Sequence, residues 1–149
     1  LNYISTDVND EILDFQREKF SYSNLKYFKC YAESIDECIN YFKISDKNII
    51  LFSSGSLQYV NPFFLEEFFS KLSNYKILNL FINEPVSLLF IENNKVISDN
   101  RGNISFSHRY DEYAKMSGIN IIENKVIRPY STDDKQHRHT GHFYLQASN

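Results

Sequence analysis

One stretch of this chain constrains the fold more than any other. In residues 48–62 an apolar run (Ile49, Ile50, Leu51, Phe52) gives way to Ser53, Ser54, Gly55 and Ser56, and a helix start follows at Asn61-Pro62. An unbroken apolar run is the mark of a strand covered on both faces in a parallel sheet. Asparagine caps helices well, and proline suits the first helical turn because its missing N–H would be unpaired there anyway. Small polar residues at the carboxyl end of such a strand leave room for a ligand, and that edge of an open α/β sheet is where ligands bind.

Length and composition set outer limits. At 149 residues the chain suits a single domain, spanning 1–149, with a real core. Its 42% hydrophobic content, with thirteen Phe and eleven Tyr, excludes a disordered class, and no apolar run approaches the length of a membrane span. The net charge of -3, with both signs interspersed, gives no field to hold a polyanion, so neither nucleic acid nor membrane is an expected partner. Cys30 and Cys38 match no metal or redox spacing, and the pair is expected to stay reduced in a cytoplasm. Leu1 is not an initiator methionine, so an upstream piece is expected.

Strand and helix signals alternate along the chain. A strand over 2–6 leads to a helix capped by Asn9, and a strand over 25–31 leads to a helix whose start reads as a capping box, Ser34-Ile35-Asp36-Glu37. The strand at 48–53 and the helix at 61–73 follow, then a strand over 77–82 that stops at Asn83-Glu84-Pro85. Residues 88–92 and 95–98 flank Asn93-Asn94 like a hairpin, giving an expected insertion over about 86–106. Ser107 is expected to cap a helix ending at Gly118, and strands at 119–128 and 142–147 close the chain around a charged, histidine-bearing loop. The predicted class is α/β, a mostly parallel sheet with an antiparallel C-terminal strand pair.

These residues resemble class I S-adenosylmethionine-dependent methyltransferases. Residues 3–9 (Tyr3 to Asn9) resemble the family's second strand, 26–34 its third strand and adenine-side loop, and 52–59 with the Asn-Pro helix start its fourth strand. Phe106 to Tyr110 and His142 to Leu145 resemble later segments of a methyltransferase group linked with surface-glycan genes. The resemblance implies a Rossmann-like sheet, S-adenosylmethionine as cofactor and a small-molecule acceptor, a sugar or glycan precursor. The family's first strand and its glycine-rich turn have no counterpart, because Gly55, Gly102, Gly118 and Gly141 are far apart. That strand would lie at the sheet's centre. Unpaired backbone is costly when buried, so the expectation is that the flanking strands close on each other, that a second chain pairs with them, as in a homodimer, or that upstream residues fill the gap.

The resemblance assigns cofactor roles. Asp7 would hold the ribose hydroxyls, although a solvated turn residue reads the same way. Glu33 is the acid nearest the adenine position, one residue off the family pattern, and equally a helix-dipole partner. Ser53, Ser54 and Ser56 would present hydroxyls to the methionine part of the cofactor, with Gly55 among its binding residues, while the cofactor-binding Gln58 and Tyr59 sit one helical step from the transferring methyl, Tyr59 reading equally as a capping or core residue. Asn83, Glu84, Arg109 and Arg138 are the acceptor-side candidates. Methyl transfer is an in-line displacement that needs positioning and, for a hydroxyl acceptor, a base. His108 is the first base to test, with His137, His139 and His142 behind it. Those three could also form a metal site next to Asp133 and Asp134, or bind an anionic sugar phosphate with Arg138. Their spacing matches no metal motif, and solvated loop histidines explain them as well, so no resident metal is expected. The competing functions are a methyltransferase domain, a non-catalytic α/β ligand- or partner-binding module, and a metal-dependent hydrolase.

Overall fold

The computed structural model of the chain describes residues 1–93, 96–128 and 140–149. The first strand, β1 (Tyr3–Asp7), leads to α1 (Asp10–Lys19), whose N-terminus Asn9 caps by accepting the Glu11 N–H. β2 (Leu25–Lys29) pairs in parallel with β1, and a 3-10 turn (Ala32–Ser34) runs into α2 (Ile35–Tyr41). Here the capping box fails. Ser34 sits at φ -104°, ψ 21° and its side chain caps nothing, because the chain enters α2 already coiled in the 3-10 turn.

β3 (Ile49–Ser54) and α3 (Pro62–Leu72) follow as the sequence predicts, with Asn61 Oδ1 accepting the Phe63 N–H and proline opening the helix. β4 (Ile77–Ser87) overruns its predicted stop by several residues and runs straight into α4 (Leu88–Asn93). It lies parallel to β3 and antiparallel to β8 (Thr140–Ser148), which in turn pairs antiparallel with β7 (Asn120–Ile127). The expected hairpin at 88–98 is therefore corrected: its first arm is helical, and the strand pair is β5 (Ser98–Asn100) with β6 (Phe106–His108), further along the chain. Ser107 lies in β6 and does not cap α5 (Tyr110–Met116); its Oγ accepts the Ser87 N–H at 2.9 Å.

The fold class is mixed α/β, as the sequence pattern predicts. The sheet order is β3-β4-β8-β7, with β1-β2 as a separate two-stranded sheet. The side of the larger sheet bearing Leu80, Ile82, Val86, Phe143, Leu145 and Ala147 is buried with α3 and α5 residues Leu65, Phe68, Phe69, Leu72, Tyr110 and Tyr113. On β3 the alternate residues face away from that core: Ile50 is 57% exposed and Phe52 69%. No backbone hydrogen bond joins β1 to β3 among the described residues, so direct closure of the flanking strands does not occur. The two units are held together elsewhere. Ala32 and Ile35 pack on the main core, and Lys71 of α3 donates to the Glu33 carbonyl and pairs with Asp36 at 3.2 Å.

Gly141 of β8 leaves no room for a side chain. A Cβ there would come within 2.7 Å of Leu88 Cδ2 and 3.1 Å of the Ile127 carbonyl. Gly141→Ala is expected to destabilise the fold by about 1–3 kcal/mol in urea denaturation, since the carbonyl belongs to a neighbouring strand and cannot rotate aside.

Candidate functional site

The turn after β3 is built around a carboxylate from the next strand. Glu84 is fully buried on β4. Its Oε1 accepts the Ser53 hydroxyl at 2.6 Å and the Ser56 and Leu57 N–H groups at 3.1 Å each, while Oε2 accepts the Gln58 N–H at 3.3 Å. Those amides open a 3-10 turn (Leu57–Tyr59), and Ser56 supplies no side-chain cap. The first N–H groups of any such turn lack partners within it. Glu84 supplies the missing acceptors from across the sheet.

Gln58 extends the network. Its Nε2 donates to the Gly55 carbonyl at 2.9 Å, and its Oε1 accepts from Arg101 at the tip of the β5–β6 hairpin. Gly55 itself sits at φ +73°, a left-handed conformation that glycine adopts at no steric cost. The turn is thus fixed at both ends, and Ser54, Ser56 and Tyr59 are left exposed on it.

His108 is placed inside the protein. It is fully buried, with Nδ1 2.7 Å from Ser98 Oγ, which is also 2.7 Å from the Tyr113 hydroxyl. Its ring lies against those of Phe106 and Tyr110. Burial pushes its pKa down to about 4; the Val60 carbonyl beside the ring opposes the shift and the nearby Arg101 charge adds to it. The expected role as a base that meets an acceptor does not fit this enclosure.

The other expected residues are dispersed. Asp7 ends β1 half-buried, its Oδ1 accepting the Asn9 N–H at 2.8 Å. Glu33 follows β2 in the 3-10 turn. Asn83 Oδ1 lies 3.2 Å from His142 Nδ1. Arg109 is engaged by Asp111 at 3.0 and 2.9 Å, and Asp111 also accepts from Asn124 at 3.1 Å. Arg138, His137 and His139 lie outside the described residues. Of the expected set, the structure gathers Ser53, Gly55, Gln58 and Glu84 into one network, while Asp7 and Glu33 sit at the ends of the other sheet's two strands. Ser98, Arg101 and Tyr113 were not foreseen, because nothing in a short polar loop or a helix interior distinguishes them before the hairpin brings them to the turn.

Two open grooves lie apart from these strand ends. One, of about 480 Å³, runs between Asn61, Pro62 and the hairpin residues Ser98, Asp99, Asn100 and Phe106. The other, of about 380 Å³, is walled by Arg109, Asp111, Lys125 and their neighbours. Among the described residues no cluster of metal-ligating side chains is found, and no helix is long and apolar enough to cross a membrane.

No protein-family model matches the chain, and no curated protein matches it by sequence. Solved structures do. A SAM-dependent methyltransferase from Anabaena variabilis is 10% identical with a TM-score of 0.68, over 99% of this chain and 68% of that one. The CurJ carbon methyltransferase is 14% identical with a TM-score of 0.63, over 99% of this chain and 42% of that one, so the chain spans well under half of its length. The [4+2]-cyclase SpnF is 9% identical with a TM-score of 0.64, over 100% of this chain and 67% of that one. Both sheets, separate here, thus align together on single neighbours. The fold of this chain is that of the class I SAM-dependent methyltransferases.

Proposed function

We propose that this chain forms the greater part of a domain that transfers methyl groups from S-adenosylmethionine to a small-molecule acceptor, a sugar or glycan precursor. The clamped turn carries this reading. Ser54, Gly55 and Ser56 are held rigidly at the carboxyl end of β3 by a fully buried acid, where a doubly wound sheet binds its ligand. Asp7 ends β1 and Glu33 lies in the turn after β2, so the resemblance would give Asp7 the ribose and Glu33, one residue off the family pattern, the adenine. Positioning is what such a displacement asks of a protein, and a pre-set turn supplies it.

The break between β1 and β3 refines the proposal. Each presents an unpaired strand edge, and the adjoining β3 face exposes Ile50 and Phe52. A strand followed by a glycine-rich turn, from further polypeptide, would pair with both edges and bring backbone N–H groups to the cofactor. The same break favours the second reading, a non-catalytic ligand- or partner-binding module, for the described residues acting alone. SpnF carries this fold and is a cyclase, so fold does not decide the chemistry.

Titration calorimetry with S-adenosylmethionine separates the two. A polypeptide with a glycine-rich strand joined ahead of Leu1 is expected to bind, and the 149 residues alone are not. In the binding form, Asp7→Ala should weaken affinity about ten- to a hundredfold, the loss of a charge-assisted hydrogen bond of roughly 1.5–3 kcal/mol. Unchanged affinity would remove Asp7 from the site; absence of binding in both forms would favour the module.

A further inference from the structure

The spacing of the two cysteines matches no metal or redox motif and they were expected to stay reduced, yet the fold brings them to one turn of helix. Cys30 leaves the end of β2, and its Sγ lies 3.1 Å from the Tyr31 carbonyl and 3.5 Å from the Ser34 carbonyl. Ser34 immediately precedes α2, and Cys38 stands four residues on, one helical turn later. Cys30 is therefore set against the same turn of α2 that carries Cys38. The neighbouring Cys38 thiol pushes Cys30 above the usual thiol range, and Cys30 in turn holds Cys38 below it. Both are free, Cys38 is buried at 4% exposure, and Cys30 is only half-buried.

We propose that Cys30 and Cys38 form a thiol oxidation site that closes to an intramolecular disulfide on reaction with a small-molecule disulfide of the glutathione class. Cys30 is the entry point because it reaches the surface. Its Sγ attacks one sulfur of the oxidised glutathione as its proton passes to the Cys38 thiolate beside it, forming a mixed disulfide and expelling one glutathione thiolate, which takes that proton from Cys38. The Cys38 thiolate then attacks Cys30 Sγ, breaks the mixed bond and expels the second glutathione. Two protein thiols are oxidised, one disulfide is reduced to two thiols, and the protons pass to the released thiolates. The product ties the end of β2 to α2 across the 3-10 turn that bears Glu33. It depends on no assumption about methyl transfer.

The test is incubation of the reduced 149-residue protein with oxidised glutathione, followed by alkylation of remaining thiols and intact-mass measurement. The expected product is a monomer that has lost two hydrogens, carries no glutathione and takes up no alkylating reagent. Cys38→Ser should instead accumulate a stable mixed disulfide on Cys30, and Cys30→Ser should leave the buried Cys38 unmodified on the same timescale. The pair should also close at a roughly tenfold lower ratio of oxidised to reduced glutathione in the folded protein than in denaturant. Two glutathione adducts, disulfide-linked dimers, two persistently free thiols, or equal closure in the folded and unfolded chain would each overturn the proposal. So would Cys30→Ser reacting as fast as the unaltered protein.

Discussion

Glu84→Ala should destabilise the protein by about 4 kcal/mol or more. The side chain satisfies one hydroxyl and three backbone N–H groups, in a position with no exposure to water. Each buried donor left without a partner costs roughly 1–3 kcal/mol, against a total stability of about 5–15 kcal/mol for a domain. Glu84→Gln separates charge from hydrogen-bond geometry. Its amide oxygen can take the place of Oε1 and keep three of the four donors, while its NH2 group then faces the Gln58 N–H, donor against donor. That single mismatch should cost about 1–3 kcal/mol. Urea denaturation of the three proteins measures the series, and amide hydrogen exchange at Ser56, Leu57 and Gln58 localises it. A Glu84→Ala loss below about 1 kcal/mol would show that the turn holds its shape without the clamp.

The clamp also shows where the sequence speaks and where it does not. Residues 48–62 read correctly as strand, turn and helix because those signals are local: an apolar run, a glycine among small polar residues, a cap and a proline at the first helical turn. The expectation that the strand is covered on both faces is overturned, because Ile50 and Phe52 are exposed on an edge strand. Glu84 looked like a strand terminator beside Pro85, since proline has no N–H for a ladder. The fold escapes that cost. Asn83 turns its carbonyl towards β3, where it accepts the Gly55 N–H, and Pro85 two residues on faces the same way, past the point where β3 has ended. Its missing donor removes no ladder bond, so β4 continues against β8. Which acid a turn recruits from thirty residues away has no local signature. The hairpin was read one element too early for a related reason: residues 88–92 fit a strand or a helical turn equally well, and contact with the core decided for the helix, burying Leu88 and Phe90. Hydrogen-bond satisfaction gave three ways to fill the gap between β1 and β3, and direct pairing of the two does not occur among the described residues, which leaves pairing by a second chain or by further polypeptide.

His108 should make the protein acid-sensitive in a defined window. The folded-state pKa is about 4 and the unfolded reference is about 6.5, so below about pH 6.5 the unfolded chain takes up a proton that the folded chain refuses. Stability contributed by neutral His108 is therefore fully present above about pH 6.5 and is lost as the pH falls towards 4. By linkage, the loss between pH 7 and pH 4.5 is about 2 kcal/mol from this residue alone. Carboxylates elsewhere add their own acid sensitivity, which a comparison cancels. His108→Phe keeps an aromatic ring against Phe106 and Tyr110, removes the titration, and leaves the Ser98 hydroxyl still paired with Tyr113. The variant should be somewhat less stable at pH 7, where the Ser98 contact is lost, yet lose about 2 kcal/mol less than the unaltered protein on going to pH 4.5. Parallel pH dependences would mean that the ring protonates in the folded state as readily as in the unfolded one. A histidine that does so must reach water, and it would then return as a candidate base for the acceptor hydroxyl.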